Sequence, residues 1–123
     1  MAIDYSKQSI DKTDILKVTK ALREKLITTG DKVPEFEKKI SNFVGSKFSV
    51  AVNSATSALH IACMALGLKK NDFLWTSCNT FVASANCGIY CGAKIDLIDI
   101  DENDYNLSII ELTKKLEKAK KAN

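Results

Sequence analysis

Two short segments hold the residues whose types and spacing could do chemistry. The first is Val50-Ala51-Val52-Asn53-Ser54-Ala55-Thr56-Ser57-Ala58-Leu59-His60. The second is Thr76-Ser77-Cys78-Asn79-Thr80-Phe81-Val82-Ala83-Ser84-Ala85. In the first, a short apolar run passes into small hydroxyl residues and then into a helix start. The leading N–H groups of a helix have no intrahelical acceptor, and the positive end of its dipole lies there. The backbone N–H groups of Ala55 and Thr56 and the hydroxyls of Ser54 and Thr56 would then converge on an anion, and a phosphate suits that geometry. A plain Ser/Thr N-cap accounts for the same residues and stays open at this point. The second segment sets Phe81 at the next strand-to-helix turn, on the same sheet edge if the strands run parallel. A flat ring beside a phosphate cradle is what a phosphorylated aromatic cofactor needs, although an aromatic at a helix start also commonly packs inward. His60 falls one turn into the helix on a small-residue face, which suits packing or hydrogen bonding more than catalysis.

The elements that must position these residues follow from periodicity. Ile15, Val18, Leu22 and Leu26 have helical spacing behind Asp11 as a cap, and Thr28-Thr29-Gly30 breaks the pattern. Pro34 opens a second helix that carries Phe36, Ile40, Phe43 and Val44 and ends at Gly45. After residue 46 the order reads β-α-β-α-β-α. Strands are expected at 47–52, 72–75 and 94–100, and helices at 55–66 and 81–90 and from Ser108 onward. Such alternation predicts an α/β fold with a mostly parallel sheet, and ligands of such sheets bind beyond the carboxyl ends of the strands. The division expected is a helical segment over 1–46 and part of a larger α/β domain over 47–123. Three parallel strands make a thin sheet, so exposed apolar edges are expected.

The composition excludes several classes. The 123 residues carry 18 basic and 15 acidic side chains, a net charge of +3 that is too balanced to imply a nucleic-acid partner. Arg23 is the one arginine, and no lysine cluster is interleaved with aromatics. No apolar run approaches the roughly 20 residues of a membrane span, and the first residues lack the pattern of a signal peptide, so a cytoplasmic protein is expected. Cys63, Cys78, Cys87 and Cys91 show no C-x-x-C spacing, and one histidine cannot complete a zinc set, so no metal is expected. The cysteines read as small buried hydrophobes, Cys78 least clearly because it sits in a candidate site loop. Neither G-x-x-x-x-G-K-[ST] nor G-x-G-x-x-G occurs.

Taken in order, the segments resemble the DegT/DnrJ/EryC1 family of sugar aminotransferases, which are fold-type-I pyridoxal-phosphate enzymes. The resemblance covers residues 3–112. It rests on Leu26-Ile27-Thr28-Thr29-Gly30, Val33-Pro34-Glu35-Phe36-Glu37, Phe43-Val44-Gly45 and Asn53-Ser54-Ala55-Thr56-Ser57-Ala58-Leu59-His60. It continues through Ala65-Leu66-Gly67-Leu68, Thr80-Phe81-Val82-Ala83-Ser84-Ala85-Asn86 and Gly92-Ala93-Lys94-Ile95-Asp96-Leu97-Ile98-Asp99-Ile100-Asp101. The Asn-Ser-Ala-Thr-Ser-Ala-Leu form and the opening Ile3-Asp4-Tyr5-Ser6 look closest to the branch that serves pseudaminic acid biosynthesis. Trp75-Thr76-Ser77-Cys78-Asn79 departs from the family, which usually has an apolar strand end and a proline-containing turn before the aromatic.

The resemblance implies part of the large domain of an aspartate-aminotransferase-like fold. It implies that Ser54, Ala55 and Thr56 hold the phosphate of pyridoxal 5'-phosphate and that Phe81 stacks on its pyridine ring. Thr28, Thr29 and Gly30 would lie near a nucleotide-sugar substrate. The implied reaction moves an amino group from glutamate to C4 of a nucleotide-linked 4-keto-6-deoxy sugar, in a homodimer that builds surface polysaccharide precursors. The family's Schiff-base lysine, and the carboxylate that pairs with the pyridinium nitrogen, lie far downstream in its members. Neither position falls within these residues, and Lys69 and Lys94 do not match the lysine motif. The chain is therefore expected to be the N-terminal part of such an enzyme, with no catalytic residue of its own and no transaminase activity alone. The other reading is a non-catalytic remnant, or a small module that binds a phosphorylated ligand or a partner chain.

Overall fold

Asp11 starts the first helix by local chemistry alone. In the computed structural model, which describes residues 5–122, helix α1 spans Lys12–Leu22. The Asp11 carboxylate accepts the N–H groups of Thr13 (2.6 Å) and Asp14 (3.0 Å), and the Asp14 carboxylate accepts that of Asp11 (3.0 Å). This reciprocal capping box satisfies donors that would otherwise be orphaned. The N–H groups of Asp14 and then Thr13 hold the Asp11 carboxyl below its ordinary range. Helix α2 spans Lys32–Val44, so it begins two residues before Pro34. Glu35 bridges Lys32 (3.2 Å) and Lys39 (2.7 Å) along its surface. Gly45 ends it with φ of 72°, a left-handed conformation that costs glycine little. Neither helix buries a single residue, and Ile15, Val18, Leu22 and Leu26 are each more than half exposed. The opening Ile3 and Asp4 lie outside the described residues.

The chain divides into two compact units, Met1–Ala51 and Val52–Asn123. The segment 47–52 does not form the expected first strand. Among the described residues it has no strand ladder, and the sheet has two strands rather than three. The alternation of Phe48, Val50 and Val52 suits a strand, but a strand exists only through a hydrogen-bonded neighbour, and none is supplied here. The Ala51 N–H is instead taken by the Glu37 carboxylate at 2.8 Å, and Phe48 and Val50 are exposed.

The second unit carries the sheet. Helix α3 spans Ala55–Ala65, strand β1 Phe73–Ser77, helix α4 Ala83–Tyr90, strand β2 Lys94–Ile98 and helix α5 Ile109–Ala122. β1 and β2 pair in parallel, with Phe73 opposite Lys94 and Ser77 opposite Ile98. The chain is thus α/β with a parallel sheet, as its periodicity predicts. α4 packs on both strands and against α3. Gly88 makes that approach possible: a Cβ there would lie 2.7 Å from Ile95 Cδ1 and 3.0 Å from Leu74 Cβ. The core is built mostly of small residues, Cys63, Ala83, Cys87 and Ala93, with Ile98 fully enclosed. Burial, and then a hydrogen bond with Cys87, pushes the Cys63 thiol up to about 11. Cys91 is half-buried and Cys78 exposed, so the reading of all four cysteines as buried fails at Cys78.

Beyond β2, Ile100 forms an isolated antiparallel bridge with Leu107, and the Asp101 carboxylate caps the turn between them through Asn103. Ser108 starts α5 as expected, its hydroxyl accepting the Glu111 N–H at 3.3 Å. Lys115 fastens α5 to β2 through the Leu97 carbonyl (2.6 Å) and Asp96 (2.5 Å). No helix among the described residues is long and apolar enough to cross a membrane.

Candidate functional site

Two helix starts in the second unit hold four of the residues singled out by the sequence. Ser54 is the N-cap of α3, in extended conformation, and its hydroxyl accepts the Ser57 N–H at 3.2 Å. The Ser57 hydroxyl in turn donates to Asn53 Oδ1 at 2.7 Å. The N-cap reading of Ser54 is therefore correct as local structure. It does not exhaust the helix start, because one hydroxyl cap leaves the N–H groups of Ala55 and Thr56 without intrahelical acceptors. Ser54 and Ala55 are exposed and Thr56 is half-buried. No acidic side chain stands in the first turn of α3, so nothing there repels an anion.

Phe81 lies just ahead of α4. The residue is 75% exposed, so it does not pack into the core of this unit. Its backbone is fixed nonetheless, since the Phe81 carbonyl accepts the Ser84 N–H at 3.0 Å. The turn that carries it leaves the carboxyl end of β1. The Cys78 N–H continues the ladder to the Ile98 carbonyl (3.0 Å), and the Cys78 thiol reaches Asp99 Oδ1 at 3.5 Å. His60 meets the Tyr90 ring edge-on at 5.2 Å between α3 and α4, which is a packing role.

Thr28, Thr29 and Gly30 lie in the first unit, in the bend between α1 and α2. Thr29 and Gly30 line an open groove of about 290 Å³ with Glu24, Lys25, Leu26 and Asp31. Thr28 is exposed and lies outside that lining. Gly30 is sterically required, because a Cβ there would strike the Leu26 carbonyl oxygen. Thr80 and Ser84, which the sequence offers only as members of the second segment, form a hydroxyl pair that brackets Phe81 (2.8 Å). Their i, i+4 spacing was the available signal, and it becomes meaningful only once the start of α4 is placed.

The second unit thus presents a helix start whose Ala55 and Thr56 N–H groups lack intrahelical acceptors beyond the Ser54 cap, and an exposed aromatic past the end of β1. Comparison with known proteins gives the family. The profile of the DegT/DnrJ/EryC1/StrS aminotransferase family matches residues 8–122, and the chain belongs to that family. It is 46% identical over 116 residues to a UDP-4-amino-4,6-dideoxy-N-acetyl-beta-L-altrosamine transaminase of Campylobacter jejuni, covering 94% of this chain and 30% of that relative. It is 42% identical over 110 residues to the spore coat polysaccharide biosynthesis protein SpsC of Bacillus subtilis, covering 89% and 28%. The fold matches a Streptococcus pneumoniae protein described as a sugar aminotransferase, Spr1654 in its PLP form, with a TM-score of 0.85 at 28% identity. That match covers 91% of this chain and 29% of Spr1654, which is also solved in a PMP form. The chain therefore spans about 30% of the length of the relative it matches at 46% identity.

Proposed function

We propose that these residues are part of a pyridoxal-phosphate-dependent aminotransferase that moves an amino group from glutamate to C4 of a nucleotide-linked 4-keto-6-deoxy sugar. The observation that carries the reading is that a chain of this family holds both an α3 start with N–H groups left over by the Ser54 cap and an exposed Phe81. In this reading the Ala55 and Thr56 N–H groups and the Ser54 and Thr56 hydroxyls hold the cofactor phosphate, with the helix dipole adding attraction. Phe81 covers one face of the cofactor ring and shields it from water. Thr28, Thr29 and Gly30 lie near the sugar nucleotide. When bound, the cofactor supplies the electron sink for amino-group transfer. The name of the Campylobacter relative supports an altrosamine-type UDP-sugar, to which we add a place in pseudaminic acid biosynthesis, a cytoplasmic location and a homodimer. The residues proposed here bind and orient; none of them is proposed as the lysine that carries the cofactor.

The experiment combines the protein with pyridoxal phosphate, isotope-labelled glutamate and a UDP-linked 4-keto-6-deoxy-N-acetylhexosamine. Cofactor retention is read by induced circular dichroism and amino transfer by mass spectrometry. For the 123-residue chain the expected result is retention without label in the sugar. Label in the sugar would overturn the proposal that this chain alone is inactive. Absence of retention would overturn the cofactor assignment.

A further inference from the structure

We infer that Thr80 is a positioning residue for Phe81: its hydroxyl, joined to that of Ser84, sets the direction in which the ring leaves the turn. The inference rests on the proposal that Phe81 stacks on the cofactor. An aromatic residue that is 75% exposed has little packing of its own to hold its ring. Its direction must come from the backbone and the residues on either side. Thr80 Oγ1 and Ser84 Oγ lie 2.8 Å apart, spanning Phe81 at the first turn of α4. Inside that span the Phe81 carbonyl accepts the Ser84 N–H (3.0 Å), and just beyond it the Ala85 (3.1 Å) and Asn86 (3.0 Å) N–H groups donate to the Val82 carbonyl. On the sheet side the Asn79 N–H donates to Ser77 Oγ at 3.3 Å, which fixes where the turn departs from β1.

Thr80 suits this role because its β-branched side chain has few χ1 states, so one hydrogen bond fixes both hydroxyl and backbone. Neither partner is charged, so the clasp adds no field where a phosphate and a pyridine ring would sit. Without it, the first turn of α4 frays and the ring samples directions that do not stack.

Variants at Thr80 and Ser84, alone and combined with Phe81→Leu, test the inference in the full chain. Thr80→Val keeps the shape and removes the hydroxyl, Ser84→Ala breaks the same bond from the other side, and Thr80→Ser keeps a hydroxyl. Hydrogen exchange at the Ser84, Ala85 and Asn86 amides is read by mass spectrometry without any cofactor, and pyridoxal phosphate affinity is read separately. T80V and S84A should each speed that exchange roughly fivefold, the loss of about one net hydrogen bond, and weaken cofactor binding by a similar factor. T80S should recover most of the protection and affinity, falling short of wild type only by the missing branch, and adding T80V to Phe81→Leu should weaken binding no further. Unchanged exchange in both T80V and S84A overturns the clasp. An undiminished T80V effect on affinity in the F81L background overturns the link to the ring. If wild type binds no pyridoxal phosphate, the proposed function fails, while the exchange data still decide the clasp.

Discussion

The two units use the same kinds of residue to different ends. α1 and α2 carry apolar side chains at helical spacing yet bury none of them. Their boundaries come from the Asp11 capping box, the Glu35 ion pairs and the left-handed Gly45. The second unit spends little on capping at α4, whose N-cap makes no side-chain hydrogen bond. It relies on Gly88, on small core residues and on Ile98. Local chemistry suffices to start and stop a helix, whereas holding a site needs packing that fixes a helix against a sheet. The candidate cofactor residues sit in the unit that has such packing.

Substitutions should separate the two regimes. Ile98→Ala should cost about 3 kcal/mol, since it truncates the one large, fully enclosed side chain among the described residues; Leu22→Ala in α1 should fall within about 0.5 kcal/mol. Equal losses in denaturant melts would erase the distinction between the units. Gly88→Val should cost about 2 kcal/mol by driving a side chain into Ile95 and Leu74, measured by the same melts. Ser54→Ala should cost about 1 kcal/mol through the lost cap of α3.

Two pH effects are smaller. The raised Cys63 thiol contributes stability that is present below its ordinary value of 9.0 and lost as pH climbs toward about 11. Thermal melts across that range should therefore decline in wild type and flatten in Cys63→Ala. The lowered Asp11 carboxyl works in the other direction. Its contribution is present above 3.8 and is lost as pH falls below that value. Helical ellipticity should drop there, and less so in Asp11→Asn, which retains the cap without the titration.

Much of this was legible in the sequence because it is local. Asp11, Ser54 and Ser108 are caps, Gly45 and Gly92 end helices, and the period switches from helix to strand where β1 and β2 stand. The site residues stood out through the small hydroxyl run and the aromatic that follows it. What failed was non-local. The segment 47–52 has strand chemistry, but pairing depends on a neighbour that periodicity does not name. The exposure of Phe81 was equally hidden, because the same residue at a helix start packs inward in many folds. The Thr80–Ser84 clasp needed the start of α4 fixed to within one residue, and boundaries are where sequence signals are weakest.

The most direct test of the central claim is a titration of the 123-residue chain with pyridoxal phosphate, followed by induced circular dichroism, in wild type, Phe81→Leu and Thr56→Val. The account predicts saturable binding in wild type and weaker binding in both variants, with folding unchanged in Phe81→Leu because its ring is already exposed. No saturable signal in wild type, or equal affinity in all three, would contradict the assignment of Ser54, Ala55, Thr56 and Phe81 to the cofactor.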